Sequence, residues 1–150
     1  MVIAKQAGRG GQGSLEEKAF VELVLTTDHL SRGVAALLKS HELSPTQYNV
    51  LRILRGSPQG LPCGEIGRRL ITREPDITRL LDRMEKRELI SRCRETKDRR
   101  TVVTRITKVG LETVNRLDEP VLALHREQLG HLGHEALLSL QGMLRQARRE

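Results

Sequence analysis

Residues 62–106 of this 150-residue chain read PCGEIGRRLITREPDITRLLDRMEKRELISRCRETKDRRTVVTRI, and their pattern is the most specific evidence for the fold. Its first part predicts a short helix from about Pro62 to Leu70 and a second helix after a joint of three residues, Ile71–Arg73, which is typical of a helix-turn-helix. Residues 89–94 and 101–106 are β-branched or alternate in polarity around a basic turn, and this pattern predicts a β-hairpin. A helix-turn-helix followed directly by a basic hairpin predicts a winged helix.

The second of the two helices has a distinct apolar and a distinct cationic face. Ile77, Leu80, Leu81 and Met84 recur at helical spacing, so we expect these side chains to be buried. The opposite face is polar and largely cationic, and it consists of Asp76, Thr78, Arg79, Asp82, Arg83 and Lys86.

The net charge of +7 is concentrated in one part of the chain. Between Arg68 and Lys108, fourteen Lys and Arg residues stand against seven Asp and Glu, whereas the rest of the chain is balanced. A face that binds phosphates must concentrate positive charge in this way. The single Tyr, single Phe and absence of Trp disfavour single-strand binding, which relies on stacking bases on aromatic rings. Duplex DNA is therefore the favoured partner.

Long amphipathic patterns flank the winged helix on both sides. One helix is predicted over about 14–40, after a capping box of Ser14 and Glu17, with an apolar stripe that includes Phe20, Leu23 and Val24. A shorter helix is predicted after a second start signal of Ser44 and Gln47, with Tyr48, Leu51 and Leu54 as its buried face. Another helix is predicted from Thr107 to about residue 129, with a kink at Pro120. A last helix over 134–148 is expected to bury Leu137, Leu138, Leu140, Leu144 and Ala147. The fold class is thus mainly α with a small β-wing, preceded by a flexible basic arm at 1–13.

Three motifs resemble those of the MarR family of transcriptional regulators. They are LLDRMEKRELISR at residues 80–92, KDRR at 97–100 and ITKVG at 106–110, where the family has LLDRLE..GL..R, a DxR wing tip and LT..G. The resemblance implies one domain over 14–150, with dimerisation helices at about 14–40 and 107–148 and a winged helix-turn-helix at about 44–106. It also implies a homodimer that represses or activates at pseudo-palindromic DNA sites, and we predict a repressor. Small aromatic or phenolic effectors, or oxidants, often relieve binding in this family.

The resemblance also assigns DNA-contact residues. Asp98 is expected to brace the wing by pairing with an arginine, Arg100 to enter the minor groove and Arg99 to meet phosphate. On the helix, the exposed first turns, where side chains reach base edges, are expected to hold Pro75, Asp76, Thr78 and Arg79. Arg73 and Arg83 are expected to contact the DNA backbone. Asp76 has an equal alternative, which is to favour the positive end of the helix dipole. The candidate set is Arg73, Pro75, Asp76, Thr78, Arg79, Arg83, Lys97, Asp98, Arg99 and Arg100.

Two features depart from the family pattern. Glu88 stands where the family commonly has Gly, so either the helix ends differently or a left-handed residue with a Cβ costs roughly 1 kcal/mol. Oxidant-sensing relatives carry a cysteine near the start of the first helix, whereas the two cysteines here are Cys63 and Cys93. Both are expected to be reduced thiols, with redox sensing by Cys93 as the lesser alternative.

An effector site is expected in the cleft between the dimerising helices and the DNA-binding part. His29, Arg32, Tyr48 and Arg52 are the candidate polar residues of its lining. A zinc site involving His29, His41 or His125 is the less favoured interpretation, because no pair has the i, i+4 spacing of helical ligands. No metal and no cofactor are predicted.

Other function classes receive little support. The chain has no nucleophile elbow and no phosphate-binding glycine loop, so we do not expect an enzyme. No run approaches roughly 18 apolar residues and no secretory signal is evident, so a cytoplasmic location without membrane contact is expected. Two rival functions stay open. One is a ligand or metal sensor with secondary DNA contact, and the other is a packer of double-stranded nucleic acid without sequence preference.

Overall fold

The computed structural model describes residues 13–94 and 102–149. These residues are mostly helical with a small antiparallel sheet, as the sequence predicted. The elements in chain order are α1 (Leu15–Ser40), α2 (Pro45–Arg55), β1 (Leu61–Pro62), α3 (Cys63–Arg69), α4 (Ile77–Lys86), β2 (Ile90–Arg94), β3 (Val102–Ile106), α5 (Lys108–Leu129) and α6 (His134–Arg148), with a 3₁₀ turn at Gly130–Leu132.

The chain divides into two compact units, the first ending at Arg32 and the second beginning at Gly33. The described part of the first unit is the start of α1. The Glu17 backbone N–H donates to Ser14 Oγ over 3.2 Å, as expected for a helix start. Phe20, Leu23 and Val24, which belong to the predicted apolar stripe, are 50%, 42% and 39% exposed.

The second unit contains the hydrophobic core, to which α2 contributes its apolar face. Ser44 and Gln47 form the predicted capping box, because Ser44 Oγ accepts from the Gln47 N–H and Gln47 Oε1 accepts from the Ser44 N–H. Tyr48, Leu51 and Leu54 are buried as predicted. The other buried apolar side chains of this core are Leu38, Leu43, Val50, Ile66, Leu80, Leu81, Met84, Leu89, Ile90, Val114, Leu117 and Val121.

A short strand precedes α3, where the sequence had predicted helix from Pro62. Leu61 and Pro62 pair with Thr104 and Val103, which gives the strand order β1-β3-β2. Gly60 has φ +81, and a Cβ there would collide with the Val103 side chain. Glycine therefore lets the chain turn tightly into the sheet.

The joint between α3 and α4 is longer than predicted. The sequence suggested three residues, whereas residues 70–76 separate Arg69 from Ile77. Pro75 disfavours helical geometry at the residue before it, and Asp76 is the N-cap of α4, so the helix begins only at Ile77. The predicted burial is correct, since Leu80, Leu81 and Met84 are buried and Ile77 packs against the core.

Helix α4 ends at a strained residue, which was one of the two outcomes expected for Glu88. Its φ is 57, in the left-handed region. The Glu88 N–H donates to Glu85 O over 2.9 Å, and the Leu89 N–H donates to Met84 O over 3.1 Å. These two bonds form a complete Schellman motif with glutamate at the position that usually holds glycine.

The ITKVG motif joins the hairpin to α5. Thr107 is the N-cap, its Oγ1 accepting from the Gly110 N–H over 3.0 Å, while its own N–H donates to Leu89 O. A Cβ at Gly110 would collide with Leu89 O. Glycine is therefore required for the close approach of α5 to the start of β2. Helix α5 continues through Pro120, and the expected kink stays a prediction.

Helix α6 has the predicted bounds but buries less than predicted. Leu137, Leu140 and Leu144 are half-buried, whereas Leu138 is 56% exposed and Ala147 is exposed. The prediction that Leu138 and Ala147 are buried is wrong for a single chain. Helical spacing identifies an apolar face, but it does not say whether the same chain covers that face.

Candidate nucleic-acid interface

The outward face of α4 is polar and cationic, as the sequence predicted. Thr78, Arg79, Arg83 and Lys86 are exposed. Since Leu80, Leu81 and Met84 anchor the opposite face in the core, these polar side chains are held on a rigid helix. Such a surface can bind a polyanion through the guanidinium, ammonium and hydroxyl donors.

The start of α4 differs from the expected geometry. Pro75 and Asp76 were expected in the exposed first turns of the helix, but both precede its first residue, Ile77. Both are exposed. Asp76 Oδ1 accepts from the Arg79 N–H over 3.0 Å. Asp76 therefore caps α4, a role that the sequence analysis did not foresee, and it lies at the positive end of the helix dipole, as its alternative role requires.

Arg73 is exposed in the segment between α3 and α4. Nearby, the Ile71 N–H donates to Asn49 Oδ1 of α2 over 3.0 Å. This hydrogen bond ties the segment to α2, and the sequence analysis did not foresee it.

A charged cluster that sequence reasoning missed links α4 to β2, and we call it the Arg92 clamp, formed by Asp82, Glu85 and Arg92. Arg92 Nη2 lies 2.6 Å from both Asp82 Oδ1 and Glu85 Oε2, and Arg92 Nε lies 2.9 Å from Glu85 Oε2. The Arg92 backbone N–H donates to Glu85 Oε1 over 2.9 Å. The hydrogen bond from Arg92 lowers the pKa of Glu85, so its carboxylate stays charged.

The predicted wing tip falls outside the part of the chain that the structure describes. Strands β2 and β3 pair antiparallel from Ile90 opposite Ile106 to Arg94 opposite Val102, as expected for a hairpin. The roles expected of its connecting residues are not tested by the described structure. These residues are Lys97, Asp98, Arg99 and Arg100.

The two cysteines are free thiols in different settings. Cys63 is half-buried at the start of α3, and Cys93 is exposed on β2. The Arg105 guanidinium donates to Cys93 Sγ, with Nη1 and Sγ 2.6 Å apart. Redox sensing by Cys93 stays a prediction.

The candidate effector residues lie in two places. In the second unit, Arg52 Cζ is 5.9 Å from the centroid of the Tyr48 ring, and burial raises the pKa of the Tyr48 hydroxyl. His29 and Arg32 lie on α1 in the first unit, where Arg32 Nη2 is 3.1 Å from Asp28 Oδ2. The pocket itself stays a prediction.

A metal site was the less favoured interpretation of the sequence, and a membrane span was not expected. Among residues 13–94 and 102–149, no group of three or more His, Cys, Asp or Glu side chains is arranged to hold a metal ion. Within the same residues, no helix is both long and apolar enough to cross a membrane.

Comparison with known proteins identifies similar regulators. The family model described as MarR family matches residues 43–102. A crystal structure of a MarR transcription factor from Planctomyces limnophilus is 38% identical, covers 88% of this chain and 96% of that chain, and has a TM-score of 0.69. The HTH-type transcriptional regulator TtmR of Methylorubrum extorquens is 31% identical over 77% of this chain.

The homoprotocatechuate degradative operon repressor of Escherichia coli is 29% identical over 61% of this chain. The matches span 59% of the length of TtmR and 61% of the length of this repressor. The crystal structure, in contrast, is matched over nearly its whole length.

Proposed function

Because this chain belongs to the MarR family of winged-helix DNA-binding transcriptional regulators, we propose that it binds a pseudo-palindromic operator as a homodimer and represses transcription there. The observation that carries this proposal is the exposed cationic face of α4 beside the β2–β3 hairpin, in the 68–108 block that holds the whole net charge. Exposed cations on a core-anchored helix can enter a major groove, and a neighbouring basic hairpin can reach a minor groove.

Each candidate residue has a proposed role on the duplex. Thr78 and Arg79 are exposed on the first turn of α4, which we take as the recognition helix, and they read base edges. Pro75 and Asp76 border the same turn, with Asp76 also serving as its cap. Contacts to phosphate are assigned to Arg73, Arg83, Lys97 and Arg99, minor-groove entry to Arg100, and bracing of the wing to Asp98.

The homodimer is supported by apolar side chains that are exposed to solvent in a single chain. On α1, Phe20 and Leu25 are 50% and 52% exposed, and on α6, Leu138 and Met143 are 56% and 58% exposed. These helices belong to the regions at 14–40 and 107–148 that the proposal assigns to dimerisation within one domain over 14–150. A second copy would remove such stripes from water.

The proposal includes a small aromatic or phenolic effector that releases the DNA. One relative is named for the degradation of homoprotocatechuate, a phenolic acid. The candidate lining is His29, Arg32, Tyr48 and Arg52, where arginine offers a partner for a carboxylate and Tyr48 an aromatic face. The proposed place of action is the cytoplasm, where the regulated DNA lies.

Binding-site selection from a random duplex library tests the central proposal. The unmodified protein should select a pseudo-palindrome whose half-sites lie about one helical turn apart. Arg79→Ala should relax one half-site position, at a cost of about 1–3 kcal/mol in discrimination. Arg100→Ala serves as the matched control, because it should reduce the preference for A-tract flanks and leave the half-sites unchanged.

Three outcomes would contradict parts of this proposal. Selection without any consensus would favour a packer of nucleic acid. A uniform loss of affinity for Arg79→Ala across all half-site variants would reduce Arg79 to a phosphate contact. An unchanged affinity after titration of the selected duplex complex with homoprotocatechuate and related phenolic acids would contradict the phenolic effector.

A further inference from the structure

We propose that Arg92 is a positioning residue for DNA binding, which fixes the wing strand β2 to the recognition helix α4 through Asp82 and Glu85. The proposal rests on the proposed function and deepens it. It concerns how the two DNA-contacting elements are held at one spacing, rather than which of their side chains touch the duplex.

The geometry of the Arg92 clamp is that of a rigid joint. One guanidinium contacts both carboxylates, and the Arg92 backbone N–H adds a further bond to Glu85. The Arg92 side chain is 25% exposed, less than Asp82 at 47% and Glu85 at 37%. Because the guanidinium is planar and its donors have fixed directions, it restricts angle as well as distance.

The position of the clamp in the chain links it to DNA binding. Asp82 and Glu85 lie on α4, the helix that also exposes Arg79 and Arg83. Arg92 lies in the middle of β2, the strand that leads directly to the basic residues 95–101. A duplex fixes the distance between neighbouring grooves, so helix and wing can contact it together only if their spacing is preset. A hydrogen bond to a base edge fails once its length grows by a few tenths of an ångström.

The charges of the clamp also link it to DNA binding. Asp82 and Glu85 are two negative groups on a helix whose other exposed charges at Arg79, Arg83 and Lys86 are positive. In a complex with DNA they would repel phosphates unless a cation held them. Arg92 supplies that cation from β2. The two carboxylates therefore do not need Arg79, Arg83 or Lys86 of α4 as partners.

The test compares Arg92→Gln with Arg94→Gln. Arg94 is the matched control because it lies on the same strand and carries the same charge outside the clamp. Affinities are measured for the duplex selected by the unmodified protein and for a scrambled duplex of equal length and composition, far below the unfolding temperature of each variant. The quantity compared is the ratio of the two affinities, because a partly unfolded sample loses both in equal proportion.

Arg92→Gln should lower the affinity ratio about tenfold or more, the cost of a misread base pair. Arg94→Gln should leave the affinity ratio unchanged, because the loss of a charge outside the clamp lowers both affinities equally. Arg92→Lys should have an affinity ratio between those of Arg92→Gln and the unmodified protein. Its ammonium keeps the positive charge but cannot hold both carboxylates in a fixed plane. An Arg92→Gln ratio equal to that of the unmodified protein would overturn the proposal.

A second variant keeps the test open if Arg92→Gln does not fold. Asp82→Asn leaves the bonds between Arg92 and Glu85 in place and should lower the ratio by a smaller factor. If Asp82→Asn and Arg92→Lys both have the affinity ratio of the unmodified protein, the clamp proposal is wrong, whereas the proposed function is not contradicted. If the unmodified protein already has a ratio near one, the proposed sequence-specific function fails, and the clamp proposal fails with it.

Discussion

Two glutamates among residues 13–94 and 102–149 hold left-handed backbone positions that usually belong to glycine. Glu88 ends α4 with φ 57, and Glu42 follows α1 with φ 58. At Glu42 the Leu43 N–H donates to Leu38 O, which gives the same Schellman geometry at the end of α1. The Arg87 guanidinium donates to Glu42 O over 2.6 Å, which ties the end of α4 to the end of α1. Contacts with neighbouring residues thus hold Glu42 and Glu88 in a left-handed conformation that is unfavourable for a residue with a Cβ.

Glu88→Gly should therefore stabilise the protein. Removal of the Cβ relieves about 1 kcal/mol of left-handed strain, and the extra freedom of glycine in the unfolded chain offsets part of this gain. We expect a net increase of about 0.5 kcal/mol in the free energy of unfolding, measured by urea denaturation. Glu88→Ala is the control, because it removes the carboxylate and keeps the Cβ. If the glycine variant is no more stable than the alanine variant, the strain argument is wrong.

The helix starts and buried faces were predictable from sequence because their causes are local. The capping pair Ser44 and Gln47 and the N-cap Thr107 act within four residues, and helical spacing identifies a buried face. Strand β1 escaped prediction because Leu61 and Pro62 become a strand only by pairing with β3, some forty residues later. Its existence depends on tertiary pairing and not on a local pattern.

The candidate site was also predictable only in part, because side-chain exposure follows from a local pattern and contacts between elements do not. Exposure of Thr78, Arg79 and Arg83 follows from the amphipathic pattern of α4. The bonds from Arg92 to Asp82 and Glu85 were missed, since they depend on where β2 packs against α4. A signal was nevertheless present, because all three residues belong to the family motif at 80–92. The structure gives this motif a physical cause, because its arginine and two carboxylates hold β2 against α4.

Helices α2 and α5 are connected by a two-pronged ion pair that gives a pH-dependent prediction. Arg55 Nη1 and Nη2 lie 2.7 Å and 3.0 Å from the two Asp118 carboxylate oxygens, and Nη1 also donates to Asn115 Oδ1. The hydrogen bond from Arg55 lowers the pKa of Asp118 below its ordinary value. The folded state thus binds the Asp118 proton less tightly than the unfolded state does, and the pair stabilises the fold only where the carboxylate is charged.

Asp118→Asn should lower the free energy of unfolding at pH 7 by about 0.5 kcal/mol, since half-exposed ion pairs are worth little. The difference from the unmodified protein should be constant above about pH 4, the ordinary range of an aspartate, and shrink below it as Asp118 becomes protonated. Urea denaturation at a series of pH values measures this difference. Glu119→Gln is the control on the same helix, because Glu119 and its partner Arg126 are more exposed at 75% and 65%. A difference for Asp118→Asn that grows on acidification would contradict the sign.

The described residues include many large apolar side chains that are exposed to solvent. In the first unit this surface is on α1, and in the second it includes Leu132, Leu138 and Met143 near the C-terminal end. Exposed single leucines are common on protein surfaces, but the exposed side chains of Phe20, Leu23 and Val24 on α1 recur at helical spacing, and such a stripe is typical of an interface. The partial burial of α6 is therefore consistent with a helix whose remaining face packs against a second copy.

Leu138→Asp tests this interpretation without disturbing the core of the single chain, because Leu138 is 56% exposed there. If two copies pack through α6, the unmodified protein of 16.9 kDa should behave as a particle of about 34 kDa in light scattering. An aspartate buried in that interface would be an unpaired charge, so Leu138→Asp should dissociate at least tenfold more readily, for a cost of about 1.4 kcal/mol or more. Ser139→Asp adds the same charge at the adjacent exposed position and should leave the mass unchanged. A monomeric unmodified protein at micromolar concentration would rule out the dimer, whereas equal dissociation of the two variants would show that the interface does not include the Leu138 face of α6.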